Sequence, residues 1–373
     1  MKSRDKRVLL VLPEVFGATG GIQMFCRSLC LAAGSWAEKN DVLLDALVLN
    51  DCVAPDSRYV NGGFNQFVTA GKNRTRLAAS YLKRVLPNAP DLVVFGHIGL
   101  SKLAVLPAVR LRKSCIVAYG IEVWRSLPSM EAKALSKADA VLAISDYTAR
   151  ELFTRHSVAS ERVRIIQPSL DPYWTPDEPA QESGNPPIIL TVARLSSGDN
   201  YKGVDSVIKS LPAVVEQIGR VEYRIVGSGD DIPRLETLAR DANVSQFVNF
   251  TGELPAEALR NEYRTCSLFV MPSEMEGFGI VFLEAMAYSK AVVGGAHAGT
   301  PSVIQDGKTG LLVERLNIEG ISDAIVRLLR DDALRTQLGR AGHQRLLDDF
   351  TFQSFEAKFH SYLRTVFRTT DER

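Results

Sequence analysis

Two carboxylates flank a glycine hinge in the stretch Pro272-Ser273-Glu274-Met275-Glu276-Gly277-Phe278-Gly279-Ile280-Val281-Phe282-Leu283-Glu284-Ala285-Met286-Ala287. An apolar strand over Ser267 to Met271 leads into this segment and an apolar helix leads out of it. Gly277 and Gly279 allow the backbone to come close to a ligand. The first helical turn, with Ile280 and Val281, offers N–H groups and the positive end of a dipole. Such a place suits an anion with hydroxyl groups beside it. Glu276, on the loop next to Phe278, can accept hydrogen bonds from one set of hydroxyls, and Glu284, about a turn into the helix, from a second. Glutamates around a strand-to-helix turn are also common solvated residues, and the turn alone leaves both readings open.

A second cluster of the same kind lies earlier in the chain. Arg194 ends an apolar strand over Ile188 to Ala193, and Lys202-Gly203 closes the loop before a helix from about Val204. A planar guanidinium and a point-charge ammonium at one strand end suit a diphosphate. Near the start, a strand over Arg7 to Leu12 is followed by a loop with Gly17, Gly20 and Gly21 and by a helix from Ile22 to about Ala33. This is a phosphate-approach geometry, although the G-x-G-x-x-G dinucleotide pattern is not met. Two further strand ends carry His97 and the segment Tyr119-Gly120-Ile121-Glu122-Val123-Trp124. His97 reads as a structural hydrogen-bonder or a ligand contact, and Trp124 as core or a stacking face.

These groups need a scaffold, and the pattern supplies one. Apolar runs at Val42–Leu49, Leu92–Phe95, Cys115–Tyr119 and Ala140–Ile144 alternate with helical periods at Arg74–Leu86 and Lys102–Arg112, and Ser145 stands as a helix cap. Alternation of this kind predicts an α/β fold with parallel sheets covered on both faces and ligands beyond the carboxyl ends of the strands. Six prolines between Pro168 and Pro187, with no periodicity, mark a linker. The second half repeats the theme of strand, loop and helix. Its strands Tyr223–Val226, before Gly227-Ser228-Gly229, and Val248–Gly252 end in small residues that leave room for a ligand. The predicted organisation is a domain over 1–170, a linker over 171–187, a second domain over 188–350 and a tail over 351–373. On the tail Phe355, Phe359, Tyr362, Leu363 and Val366 share one helical face, a packing stripe.

The 373 residues suffice for two full cores, and 46% of them are hydrophobic. No apolar run approaches the ~18 to 20 residues of a membrane span, and Met1 to Arg7 is too short and too charged to open a secretory signal. A cytoplasmic protein is expected, free or peripheral on the inner face of the cell membrane. Five cysteines without C-x-x-C spacing, Cys26 and Cys30 one turn apart among them, read as structural thiols. Lys and Arg outnumber Asp and Glu by 23 to 14 over residues 1–170 and are outnumbered by 21 to 29 beyond them. A basic front half suggests an anionic partner, and Arg74, Arg76, Lys83, Arg84, Arg110, Arg112 and Lys113 suit an anionic membrane face.

The spacing Glu276-x7-Glu284 resembles the signature of the retaining glycosyltransferases of the GT-B class, family 4 or group 1. Other segments carry the same resemblance: Gly20-Gly21; Tyr119 to Trp124, similar to H-G-x-E-x-W with Tyr119 in the histidine position; Ser145 to Leu152; Arg194 with Lys202-Gly203, similar to R-x4-K-G with extra residues over Ser196 to Tyr201; His297 to Pro301, followed by Ser302 where Glu is usual; and Asp306 to Leu311. The resemblance implies two Rossmann-like domains with parallel sheets facing across a cleft. It implies transfer of a hexose from a nucleoside diphosphate sugar, GDP-mannose first and UDP-glucose second, to an acceptor hydroxyl, with the last helix crossing back to the first domain. Glu276, Arg194 and Lys202 are then catalytic. Gly20, Gly21, His97, Tyr119, Glu122, Phe250, Gly277, Phe278, Gly279, Ile280, Val281 and Glu284 bind substrate, with the base near Phe250 to Leu254 and the ribose on Glu284. The chain has no Asp-x-Asp, so no obligatory metal and no cofactor are expected. The expected acceptor is a saccharide, polyprenyl-diphosphate-linked and destined for cell-surface polysaccharide, with no nucleic acid involved. A catalytically silent sugar-nucleotide-binding protein and a GT-B-like epimerase are the alternatives. A glycoside hydrolase would leave Arg194 and Lys202 without a purpose.

Overall fold

The computed structural model describes residues 6–174 and 185–371. Most of the predicted linker, residues 175–184, lies outside the described residues. The chain divides into two compact units, Met1–Asp171 with Phe352–Arg373, and Pro172–Thr351.

The first unit is built on β1 (Lys6–Leu12), β2 (Val42–Val48), β3 (Gln66–Thr69), β4 (Leu92–Phe95), β5 (Ser114–Ala118), β6 (Ala140–Ala143) and β7 (Val163–Ile165), in the spatial order β3-β2-β1-β4-β5-β6-β7. Every pairing is parallel. The inner strands are nearly continuous in Val, Leu, Ile and Ala because helices cover both faces of such a sheet. On one face the helix Gly21–Asn40 buries Phe25, Cys26, Leu29, Cys30, Ala33 and Trp36 at helical spacing. The last helix, Phe352–Asp371, belongs to this unit, and Phe355, Phe359, Tyr362, Leu363 and Val366 are all buried. Phe355 meets Phe25 edge to face at 5.2 Å, and His360 Nε2 donates to the Ala32 carbonyl at 2.7 Å. Each phenylalanine so covered contributes ~1.5–3 kcal/mol.

The second unit carries β8 (Ile188–Val192), β9 (Glu222–Val226), β10 (Val248–Gly252), β11 (Leu268–Met271), β12 (Ala291–Gly295) and β13 (Leu311–Val313), all parallel, in the order β10-β9-β8-β11-β12-β13. The helix Val204–Ile218 follows β8 and the helix Ile280–Ala287 follows β11.

Two expectations need correction. Lys102–Arg112 is not a helix: a 3-10 helix runs over Ile98–Val105, and Leu106, held extended before Pro107, ends it. Gly227 and Gly229 do not make room for a ligand. A Cβ on either would stand 1.9 Å from a backbone oxygen, of Ala193 or Leu195, so their bareness admits the chain that follows β8. Ser145 does cap its helix, accepting from the Thr148 amide at 3.2 Å.

Candidate active site

In the second unit the chemistry gathers where β8 and β11 end. Glu276 and Lys202 form an ion pair, Nζ to Oε2 at 2.5 Å, with both side chains largely buried. The pair links the two loops, and the Glu274 amide donates to the Tyr201 carbonyl at 2.9 Å as a second tie. Glu276 is held through its backbone as well, its carbonyl accepting from the Gly299 amide at 2.7 Å. Arg194, whose side chain is 73% exposed, donates through Nε to Asp199, a buried residue of the extra segment Ser196 to Tyr201. Burial pushes the Asp199 carboxyl up, but the hydrogen bonds from Arg194 and Tyr201 outweigh it and hold the acid below its usual range. Arg194 and Lys202 line one depression together with Ser196, Asn200, Asp205 and Arg234. Arg234 is bound to Asp231, and Arg315 reaches Asp205 at 3.2 Å and Glu274 at 3.5 Å. The cations predicted to cradle an anion are therefore each already matched with a resident carboxylate.

The helix Ile280–Ala287 begins at Gly279, whose φ of +97° is a left-handed conformation that a side chain would strain. No side chain caps this end, and an uncapped first turn is where helix amides can receive an anion. Phe278, expected to bind substrate, has its ring buried and packed edge to face on Phe350 at 5.4 Å. Glu284 is 6% exposed and accepts a 2.7 Å hydrogen bond from Tyr263. Phe250 is half-buried against the core of the second unit.

In the first unit, Gly20 and Gly21 open the helix Gly21–Asn40, and no side chain caps it. The loop before them is organised by Asp51, which sequence reasoning missed. This fully buried residue accepts from the amides of Val15, Phe16 and Gly17 at 3.0–3.2 Å. A lone aspartate after a strand gives no signal of that partnership, which spans more than thirty residues of sequence. His97 accepts from the Gly99 amide through Nδ1 at 2.9 Å, which leaves its proton on Nε2. Glu122 accepts from the Tyr119 amide at 2.5 Å, holding the turn after β5. Tyr119, expected to bind substrate, is buried. Its ring is packed on Phe25 and His97, its oxygen lies 3.5 Å from Cys26 Sγ, and burial drives its acidity far down. Of the basic residues proposed to meet an anionic surface, Arg74, Arg76 and Lys83 are exposed. Arg84 and Arg112 are instead paired with Asp45 and Asp91, and Lys113 donates to the Val366 carbonyl. Among the described residues no helix is long and apolar enough to cross a membrane.

Comparison with known proteins gives the family. Residues 174–345 match the family described as glycosyl transferases group 1. The chain is 30% identical over 309 residues to a GDP-mannose-dependent α-(1-6)-phosphatidylinositol monomannoside mannosyltransferase of Mycolicibacterium smegmatis, covering 76% of this chain and 79% of that one. It is 29% identical over 300 residues to the corresponding monoacylated-acceptor enzyme of Corynebacterium glutamicum, covering 74% and 76%. In fold it matches sucrose-phosphate synthase of Thermosynechococcus elongatus with a TM-score of 0.76 at 21% identity, over 98% of this chain and 100% of that one. The two parallel α/β sheets are thus those of a GT-B fold, and the chain belongs to the group 1 glycosyl transferases.

Proposed function

We propose that the protein transfers a mannose residue from GDP-mannose, with retention of configuration, to a hydroxyl of a lipid-linked saccharide at a membrane surface. The carrying observation is the Lys202–Glu276 ion pair set beside the uncapped helix Ile280–Ala287. Breaking the anomeric bond sends its electron pair to the departing diphosphate and leaves positive charge on the sugar ring. Arg194, Lys202 and the amides of Ile280 and Val281 stabilise the first charge, a contribution of ~3–4 kcal/mol per well-placed donor. Glu276 orients the sugar hydroxyls and Glu284 takes the ribose. Since cationic side chains neutralise the leaving group, the reaction requires no divalent metal and proceeds in excess chelator.

The donor assignment draws on relatives named as GDP-mannose-dependent, and the lipid acceptor on their phosphatidylinositol mannoside substrates. The test is calorimetric titration with GDP and UDP, followed by transfer from GDP-mannose to phosphatidylinositol mannoside and to polyprenyl-diphosphate saccharide. The anomer is read from the one-bond C1–H1 coupling of the product. Tighter binding of UDP, or an inverted product, would overturn the corresponding part of the proposal. Binding without turnover on any acceptor would favour a catalytically silent protein.

A further inference from the structure

Tyr263 is a fully buried tyrosine on the helix Ala256–Thr265, and nothing in the sequence pattern set it apart from core. Its ring is fixed on several sides: Trp174 stands edge to face at 5.9 Å, Phe269 is tilted at 5.8 Å, and Tyr288 is stacked at 6.4 Å. The hydroxyl of this immobile ring donates to Glu284 Oε2 at 2.7 Å, between residues that are both almost without solvent. Burial pushes the phenol well above its usual range, and the neighbouring carboxylate pushes it further, so the oxygen keeps its proton and donates it to the carboxylate. An ionised carboxylate accepts up to about four hydrogen bonds, so engagement by the tyrosine leaves capacity for ligand donors. A glutamate side chain has three rotatable bonds, and its carboxylate is useful to a ribose only in one setting of them.

We propose that Tyr263 is a positioning residue for the donor. Through its hydroxyl it holds the Glu284 carboxylate in the rotamer that receives the ribose hydroxyls of the nucleotide. The inference rests on the reading of Glu284 as the ribose-binding group and adds a claim about a residue that never touches substrate. Tyr263 therefore acts on recognition of the sugar edge of the nucleoside, not on base or phosphate affinity. Such selectivity separates positioning from a general contribution to folding, which would weaken every ligand alike.

The experiment measures dissociation constants of GDP and of 2′,3′-dideoxy-GDP for the unmodified protein, E284A, Y263F and the double variant. The unmodified protein is expected to prefer GDP by about tenfold or more, the worth of a hydrogen bond to a charged group. E284A abolishes that preference. Y263F, which keeps the ring packing, lowers it to about threefold or less while binding the dideoxy nucleotide within about twofold of the unmodified protein. The double variant, in which no carboxylate is stranded beside a phenylalanine, binds both nucleotides as E284A does. If E284A loses the preference while Y263F keeps it in full, the positioning role is overturned and the ribose reading stands. If E284A keeps the preference, the ribose reading falls and the positioning role falls with it. If Y263F weakens GDP and the dideoxy nucleotide equally, the tyrosine is structural and the inference is wrong.

Discussion

The strand ends of the two units solve the same problem with different materials. After β4 and β5 in the first unit stand aromatic rings, a thiol and backbone hydrogen bonds: His97 against Tyr119, Tyr119 against Cys26, and Glu122 spent on a main-chain amide. After β8 and β11 in the second unit stand ion pairs: Arg194 with Asp199, Lys202 with Glu276, Arg315 with Asp205 and Glu274. A network of matched charges presents little net field, and under the proposed function a diphosphate must draw cations away from acids already holding them. The gain is order, since each cation is aimed before the ligand arrives. At the ends of β4 and β5 the contacts are ring packing and hydrogen bonds in place of ion pairs.

Removal of Glu276 is the strongest challenge to this contrast. In E276A, turnover is expected to fall by at least about a hundredfold, as sugar positioning is lost. Nucleoside diphosphate affinity holds or rises, because Lys202 is released from its partner. Weakened GDP binding in calorimetry would contradict the ion-pair account. K202A comes next. It strands the Glu276 carboxylate where the diphosphate should sit, and GDP affinity is expected to drop by ~2–3 kcal/mol while guanosine affinity is unchanged. Equal losses for nucleotide and nucleoside would show that Lys202 supports the fold instead.

Smaller effects are expected in the first unit. D51A deprives the Val15, Phe16 and Gly17 amides of their buried acceptor and should lower stability by ~1–3 kcal/mol in urea titrations, whereas an unchanged midpoint would deny the loop its anchor. Y119F removes only a 3.5 Å contact to sulfur, so kcat/KM should stay within about twofold. A loss of tenfold or more would return the hydroxyl to the substrate. The smallest perturbation is chemical labelling. Burial pushes the thiols of Cys26, Cys115 and Cys266 up to about 12 and that of Cys30 well above its usual range, whereas Cys52 is exposed. Maleimide at mildly alkaline pH should add one label to the native chain by intact mass, and a second rapid label would show that the packing around one of the buried thiols opens.

What was legible in the chain follows from which forces write themselves locally. Buried parallel strands are continuous apolar runs, and β4 and β10 appeared with their observed limits. The two strands without a signal, β3 and β7, are the edges of the first sheet, short and partly polar because they are covered less. Lys102–Arg112 has helical periodicity but contains Pro107, and the steric rule at proline overrode the pattern. The groups of the candidate site were visible one by one, because glycine hinges and strand-end cations stand out at fixed spacing. Their partners were not. Asp199 with Arg194, Tyr263 with Glu284 and Asp51 with the loop before Gly20 are side-chain hydrogen bonds set by the folded geometry, and no periodicity encodes them. Gly227 and Gly229 show the converse error: small residues read as space for a ligand are space for the chain's own backbone.

The placement of the final helix, Phe352–Asp371, on the first unit sets a schedule for synthesis. The apolar face of the helix Gly21–Asn40 that receives Phe355 and His360 emerges from the ribosome well before the residues that cover it, His360 following Ala32 by 328 residues. Until then the nascent first unit carries a bare hydrophobic groove, and the second unit, Pro172–Thr351, can fold during that interval. Chains stalled before residue 352 would therefore be a natural target for chaperones, whereas a chain that includes Phe352–Asp371 covers the groove itself.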